Sequence, residues 1–147
     1  MRLFITACLV ALTGFAASND LDWGFDFEAA KVEAASNDQT ILIVFSGSDW
    51  CKPCIQLHKE LFESEAFKAY ADEHLKLVKA DFPYRKKNRL SKEQTAHNEK
   101  LAAEYNPDGE FPLAVFTDAS GKPLGSFGFD KGKKPEDYIS EFRKYLK

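Results

Sequence analysis

The chain has 147 residues, of which 44% are hydrophobic and 29% charged, a composition typical of one soluble globular domain. Its formal net charge of −3 excludes a general nucleic-acid binder, because such proteins carry an excess of basic residues. The sequence contains no apolar run long enough for a transmembrane helix, so it predicts no membrane span.

Residues 1–16 match the order of a secretory signal peptide. Arg2 precedes a mostly apolar run, which ends in the small-residue cleavage signal Gly14-Phe15-Ala16. We therefore expect residues 1–16 to be removed. Residues 17–147 then form the mature domain, which we expect to be exported to the periplasm or secreted.

Two alternatives for this first segment remain open. It could instead be an N-terminal helix that the mature protein retains. The tetrapeptide Ile5-Thr6-Ala7-Cys8 also matches a bacterial lipoprotein box, and a lipid on Cys8 would anchor the protein to a membrane.

A helix and a strand open the predicted domain. Residues 26–35 predict an amphipathic helix with Asp26 as its N-cap. The residues of this helix that we expect to face a core are Phe27, Ala30 and Val32. Residues 40–45 form a continuous apolar run, which is typical of a central strand covered on both faces.

The helix that follows this strand begins at two cysteines. Its expected apolar side consists of Ile55, Leu57, Leu61 and Phe62. Ser64 has the character of a second N-cap, so we predict a kink there and a further helix over residues 65–74.

The second half of the chain predicts a strand, a helix, a hairpin and a final helix. The strand covers residues 75–81 and the helix residues 91–105. Residues 113–117 and 124–129 predict the hairpin, and Pro135 opens the last helix. The order of elements indicates an α/β fold, in which helices cover both faces of a central mixed sheet of four to five strands.

A basic segment precedes the hairpin. Residues 84–100 contain six Lys and Arg residues against two Glu, a local charge of +4 on an acidic protein. Two interpretations remain open, namely a solvated loop and helix face or a surface that binds an acidic partner.

The chemistry of the chain is concentrated in residues 50–54, WCKPC. A disulfide between positions three apart constrains little of the unfolded chain, so a redox role is favoured over a stabilising one. We predict that Cys51 is the nucleophile, because unpaired N–H groups at the start of a helix favour its thiolate. The charge of Lys52 acts in the same sense, and Pro53 fits a first helical turn. Cys54, one turn further on, is placed to resolve a mixed disulfide on Cys51.

The same cysteine spacing is half of a zinc site, which needs two more ligands. The histidines of the chain are His58, His74 and His97. Only His58 is placed to join the cysteines, which disfavours a structural zinc and leaves a Cu(I) site from Cys51, Cys54 and His58 as an alternative. Otherwise His58 is an exposed helix residue, and His74 lies at a helix C-terminus.

The order of strand, W-C-x-P-C, helix, strand, Phe-Pro step, hairpin and final helix resembles the thioredoxin family over about residues 23–147. Residues 46–51 and 57–62 are most similar to exported bacterial thioredoxin-like proteins and to the periplasmic thiol-reductase domain of transmembrane electron carriers. The resemblance implies a thioredoxin-like fold with a cis-proline step at Phe111-Pro112 that faces the cysteines. From the residues alone, Pro112 would be a trans proline at the start of a strand.

The resemblance further implies that Phe111 and Pro112, together with Trp50, line the groove for an extended protein substrate. One departure concerns the buried acid that relays protons to the resolving cysteine in thioredoxins. The matching position here is Val44 or Phe45, both apolar, and Asp49 is the nearest carboxylate.

A second departure is Lys52 in place of the usual glycine of the active-site dipeptide, so the redox potential of thioredoxin does not carry over. Together with Pro53, Lys52 is expected to tune that potential. The Lys-Pro dipeptide lacks the histidine of the strongest oxidants, and the resemblance is to reducing proteins. We therefore favour a reductase.

These observations predict an exported, monomeric thiol–disulfide oxidoreductase. We expect it to exchange disulfides with protein substrates and to receive electrons from a thiol redox partner. No small-molecule cofactor is expected, because the chain has no Gly-rich phosphate loop. No metal is expected, because the two further ligands of a zinc site are missing. The alternatives are the Cu(I)-binding module and a redox-inert thioredoxin-like interaction domain.

Overall fold

The structure is a computed structural model that describes residues 20–146. The predicted signal peptide, residues 1–16, and the lipoprotein-box cysteine Cys8 lie outside the described residues. No helix in the described part of the chain has both the length and the apolar character needed to cross a membrane.

A five-stranded mixed sheet forms the centre of residues 20–146, with strand order β1-β3-β2-β4-β5. The strands are β1 Trp23–Gly24, β2 Thr40–Ser46, β3 Leu75–Asp81, β4 Leu113–Thr117 and β5 Pro123–Phe127. Strands β1, β3 and β2 pair in parallel, whereas β4 pairs antiparallel with both β2 and β5. The expected mixed sheet is confirmed. The sequence did not predict the two-residue β1, and it placed the hairpin's second strand at 124–129, two residues too far at its end.

Five α-helices of the described residues flank this sheet. They are α1 Phe27–Asn37, α2 Lys52–Leu57, α3 Glu65–His74, α4 Lys92–Tyr105 and α5 Pro135–Phe142. A π-helical turn, His58–Phe62, joins α2 to the segment before α3, and short 3-10 turns cover Lys86–Asn88 and Arg143–Tyr145. The predicted α/β fold with helices on both faces is confirmed.

Strand β2 is apolar from Ile41 to Phe45 because both of its faces are covered there. Leu42 and Val44 join a core cluster with residues of α2, α3 and α5. Ile41, Ile43 and Phe45 point the other way and pack with residues of α1 and α4. A strand buried on both sides needs apolar residues at every position, which explains the run that the sequence displays.

Two predicted caps are present. The Asp26 carboxylate accepts hydrogen bonds from the backbone amides of Glu28 and Ala29 at the start of α1, at 2.9 and 3.1 Å. The Ser64 hydroxyl accepts one from the Phe67 amide, at 3.1 Å, at the start of α3. The predicted break at Ser64 is confirmed, and the chain reaches it through the π-helical turn.

Two predicted core residues were wrong. Val32 of α1 is 68% exposed, because this helix packs through Phe27, Ala30 and Ala34, and Val32 lies on the opposite side. Ile55 of α2 is 48% exposed, whereas Leu57 of the same helix is buried.

Candidate active site

Cys51 and Cys54 stand where strand β2 has ended and helix α2 begins. Cys51 is the N-cap residue of α2 and has extended backbone geometry, and Lys52 and Pro53 are the first two helical residues. A disulfide joins Cys51 to Cys54, with their Cα atoms 5.2 Å apart. The backbone amide of Cys54 donates a hydrogen bond to the Cys51 sulfur at 3.3 Å, so this sulfur takes the place of a capping side-chain oxygen.

Both cysteines are buried, each with 4% of its surface exposed, whereas Lys52 is exposed. The Cys54 amide, at the start of the helix, favours negative charge on the Cys51 sulfur once the disulfide is reduced. The first turn of α2 therefore has the composition that stabilises a thiolate at Cys51.

An aromatic row flanks the disulfide on one side. The Phe111 ring contacts the rings of Trp50 and Phe82 edge to face, with centroids 5.5 Å apart in both pairs. The Trp50 indole is 51% exposed, and its Nε1 donates a hydrogen bond to the Phe82 carbonyl at 2.8 Å. The structure thus brings the predicted Trp50 and Phe111 together, with Phe82 as a third member that the sequence did not single out.

The peptide bond between Phe111 and Pro112 is cis, as the resemblance implied and against the trans geometry read from the residues alone. Pro112 and Cys54 line one cavity of about 430 Å³. The cis-proline step therefore opens onto the same cavity as Cys54.

The same cavity shows what replaces the buried acid of thioredoxins. Val44 lines it, whereas Phe45 belongs to the core cluster on the other face of the sheet. Val44 is thus the matching position. Lys79 of β3 pairs with Val44 in register and lines the cavity as well. A lysine between the apolar residues Val78 and Ala80 was the sequence signal for this residue.

His58 also lines this cavity and begins the π-helical turn. Its partial burial lowers the pKa of the imidazole below 6.5, and the charge of Lys79 acts in the same direction. Glu63, whose carboxylate lies 3.5 Å from His58 Nε2, opposes this shift. The Cys54 side of the site therefore combines an apolar wall with a histidine that favours its neutral form.

The other two histidines lie outside the site. His74 is the last residue of α3, at the predicted helix C-terminus, and its ring centroid is 4.8 Å from that of Tyr70. His97 of α4 accepts a hydrogen bond from the Phe27 amide at 3.2 Å and so ties α4 to α1. Within residues 20–146, no three His, Cys, Asp or Glu side chains form a group that could hold a metal ion.

Asp49, the nearest carboxylate to the cysteines in the sequence, is hydrogen-bonded to the segment 84–88. Its carboxylate accepts three hydrogen bonds of 2.9 Å, from the backbone amides of Tyr84 and Arg85 and from the side-chain amide of Asn88. These bonds hold the pKa of Asp49 below its usual 3.8, and the Tyr84 amide is the largest cause. Nothing in the local sequence indicates these contacts, because the partners lie 35 to 39 residues away.

A family model for the thioredoxin-like domain matches residues 27–145 of the chain. The chain is 37% identical over 131 residues to the disulfide bond reductase DsbH of Chlamydia pneumoniae, a match that covers 89% of this chain and 76% of that protein.

Solved structures have the same architecture. A structure of a DsbH oxidoreductase superposes with a TM-score of 0.79 at 33% identity, over 96% of this chain and 94% of that one. A thioredoxin from Thermus thermophilus superposes with a TM-score of 0.63 over 84% of this chain and 85% of that one, and its 14% identity shows the shared fold alone. These matches agree with three features of the present chain, namely its sheet order, its cysteine pair at the start of α2 and its cis Phe111-Pro112 bond. The chain belongs to the thioredoxin-like family.

Proposed function

We propose that this protein is a thiol–disulfide oxidoreductase that reduces disulfides in protein substrates. The observation that carries this proposal is the Cys51–Cys54 disulfide at the start of α2, beside the exposed Trp50 ring. The relative named a disulfide bond reductase supports the direction of electron flow.

The catalytic cycle uses the two cysteines in sequence. The Cys51 thiolate of the reduced protein attacks one sulfur of a substrate disulfide, forms a mixed disulfide and expels one substrate thiolate. Cys54 then loses its proton and attacks the Cys51 sulfur, which closes the Cys51–Cys54 disulfide and releases the second substrate thiolate. Each expelled thiolate takes up a proton. Two electrons have passed to the substrate, and a thiol redox partner restores the dithiol.

The residues around the pair have separate roles in this cycle. Lys52 and the amides at the start of α2 favour the Cys51 thiolate, and Pro53 fixes the backbone of that turn. Trp50, Phe111 and Pro112 bind the substrate segment that contains the reacting cysteine. Trp50 directly precedes Cys51 and contacts Phe111, and Pro112 lines the same cavity as Cys54, which supports this role.

The deciding measurement is the reduction potential of the Cys51–Cys54 pair, obtained for residues 17–147 in glutathione and dithiothreitol buffers. A reversible two-electron couple near about −270 mV supports a reductase, and a value near about −120 mV would make the protein a disulfide donor. A pair that never cycles would support the redox-inert domain instead.

Two cysteine variants test the order of events. Cys51→Ser should abolish disulfide reduction, whereas Cys54→Ser should accumulate a mixed disulfide with the substrate that non-reducing electrophoresis detects. Retained activity in Cys51→Ser would contradict the mechanism. Stoichiometric Cu(I) uptake by the reduced protein that His58→Ala abolishes would favour the copper alternative.

Export is a further part of this proposal, and the apolar segment before Gly14-Phe15-Ala16 supports it. The full chain, produced in a bacterium with two membranes, should be recovered from the periplasm as a monomer whose N-terminus lies within a few residues of Ala17. Intact-mass spectrometry and light scattering measure both properties. A cytosolic protein that retains Met1 would contradict export, and a lipid-modified Cys8 would establish the anchored form.

A further inference from the structure

The basic loop, defined as residues 84–92, concentrates positive charge beside the turn that precedes Cys51. Five of its nine residues are Lys or Arg, and none is acidic. All five basic residues are exposed, namely Arg85, Lys86, Lys87, Arg89 and Lys92. Such a concentration on a chain of net charge −3 creates a local positive potential.

Among the described residues, none of these cations is in an ion pair, although the charge of Arg85 interacts with that of Asp49. Within residues 20–146, the ion pairs use Lys31, Lys68, Lys76, Lys133 and two histidines, and none involves the basic loop. The carboxylate of Asp49, next to the loop, accepts a hydrogen bond from the backbone amide of Arg85. The charges of the loop are therefore presented to solvent.

The loop is fixed against the active-site turn by several contacts. Asp49 holds it through three hydrogen bonds, and the Phe82 carbonyl just before it accepts a bond from Trp50 Nε1. On the same side, the Ser48 amide and hydroxyl donate to the Asp81 carboxylate at 2.9 and 2.5 Å. Residues 48–50, directly before Cys51, thus determine where the basic loop lies.

Tyr84 adds an aromatic ring to this surface. It is 83% exposed, and its backbone amide is bonded to Asp49, the residue next to the half-exposed Trp50. Exposed aromatic rings and Arg side chains are enriched where proteins bind other proteins, and this surface contains Tyr84, Arg85 and Arg89. The basic loop therefore continues the substrate-facing edge formed by Trp50 and Phe111.

We propose that the basic loop is a docking surface for protein substrates that carry an acidic segment next to the reacting disulfide. The inference rests on the proposed reductase activity, because it extends the binding edge of that site. The loop attracts the acidic segment, and Asp49 sets the distance between the cations and Cys51. The class of substrate selected is thus a disulfide-containing protein with Asp or Glu near the reacting cysteine.

The test compares two disulfide-bridged peptides. The acidic peptide has Asp and Glu near its cysteines, and the neutral peptide has Asn and Gln at the same positions. The reduced wild-type protein should reduce the acidic peptide about tenfold faster at low salt, and the advantage should disappear at about 0.5 M salt. The acidic-to-neutral ratio is the reduction rate of the acidic peptide divided by that of the neutral peptide. In the variant with Lys86→Glu and Lys87→Glu, this ratio should fall close to one. Equal rates for the two peptides in the wild type would overturn the proposal.

A matched charge control is available at the opposite end of the sheet, near the start of β2. Lys122 lies in the hairpin turn, and Lys144 lies in the turn after α5, whose Tyr145 carbonyl accepts a bond from Thr40 at the start of β2. Both lysines are exposed. The variant with Lys122→Glu and Lys144→Glu should keep the acidic-to-neutral ratio, and an equal loss would show an effect of net charge alone.

Asp49→Asn separates placement from charge. The substitution makes the active-site edge more positive, so an effect of charge alone would increase the preference for the acidic peptide. Asp49→Asn also weakens the hydrogen bonds that fix the loop, and this loss should decrease the preference for the acidic peptide. An increased ratio in Asp49→Asn would overturn the role assigned to Asp49.

A binding measurement keeps the proposal testable if neither peptide is reduced, a result that would contradict the proposed function. A cysteine-free acidic peptide should bind the oxidised wild-type protein and quench or shift its Trp fluorescence, and should bind the Lys86→Glu, Lys87→Glu variant at least fivefold more weakly. No binding would overturn the proposal. Tighter, saturable binding of a single-stranded oligonucleotide or an anionic vesicle at the same loop would do so too.

Discussion

At the scale of single residues, the side of the site next to Cys54 departs from the thioredoxin pattern. The position of the relay acid is Val44, with Lys79 opposite it in register and His58 on the same cavity. None of the described strand residues that line the cavity of Cys54 carries a carboxylate. They are Trp23, Val44, Ser46 and Lys79. The proton that Cys54 loses must therefore reach a different acceptor from the one that thioredoxins use.

His58 should make the stability of the oxidised protein depend on pH. Burial lowers the pKa of His58 in the folded protein below 6.5, so the unfolded chain binds the proton more tightly. The free energy of unfolding should then fall as the pH decreases below 6.5 and level off above it. Urea denaturation between about pH 5 and 7 measures this slope. His58→Gln should reduce the slope and His74→Gln should keep it, and an unchanged slope in His58→Gln would contradict the assignment.

Gly47 should be required for the position of Trp50. A Cβ atom at Gly47 would lie 2.6 Å from Nε1 of the indole, closer than real Cβ contacts allow. Gly47→Ala should therefore displace the ring and break its bond to the Phe82 carbonyl. Near-ultraviolet circular dichroism and Trp fluorescence would detect the change, and a KM increase for protein substrates would accompany it. An unaltered spectrum would show that the loop backbone adapts instead.

At the scale of elements, the helical segment after the cysteines is divided at Ser64. The division lets α2 present the cysteine pair while α3 packs Phe67 and Ala71 into the core beneath the sheet. The Ser64 hydroxyl both accepts from the Phe67 amide and donates to the Leu61 carbonyl at 2.7 Å. One side chain thus satisfies polar groups on both sides of the break.

Ser64→Ala should destabilise the protein by about 1 kcal/mol, the usual value of an N-cap. Chemical denaturation of the oxidised protein measures this loss. Ser36→Ala is the matched control, because the exposed Ser36 hydroxyl only bonds back to the Val32 carbonyl within α1. The control should change stability by less than about 0.5 kcal/mol. Equal effects of the two substitutions would contradict a capping role for Ser64.

At the scale of the whole molecule, an aromatic cluster joins α5 to α3 and to the hairpin strands. Phe142 is 1% exposed, and its ring lies within 6.5 Å, between centroids, of five other rings. These rings belong to Phe67, Tyr70, Phe116, Phe127 and Tyr138. The cluster lies on the face of the sheet that also carries α2, so it supports the element that holds the cysteines.

Phe142→Ala should destabilise the oxidised protein by about 3–5 kcal/mol, because it removes a buried ring and leaves a cavity. A domain of this size has a total stability of only about 5–15 kcal/mol, so thermal unfolding should shift to much lower temperature. Phe25→Ala provides the control, since Phe25 is 53% exposed. A loss below about 1 kcal/mol in Phe142→Ala would show that the cluster repacks.

The order of the elements, the redox pair and the caps at Asp26 and Ser64 could all be predicted from the sequence. These features depend on local spacing: apolar periodicity, side chains that bond amides two or three residues away, and cysteines one helical turn apart. The same periodicity could not decide which side of α1 faces inward, and it placed Val32 in the core. It also missed β1, because two residues make no pattern.

The surroundings of the cysteine pair could not be predicted from the sequence, because they depend on the three-dimensional fold. The bonds from Asp49 to residues 84–88, from Trp50 to Phe82 and the pairing of Val44 with Lys79 join positions more than 30 residues apart. Such contacts depend on the register of β2 and β3 and on the packing of loops at their ends. Local sequence patterns carry no information on that register. The reactive pair can therefore be predicted from the sequence, whereas its environment depends on the pairing and register of the strands.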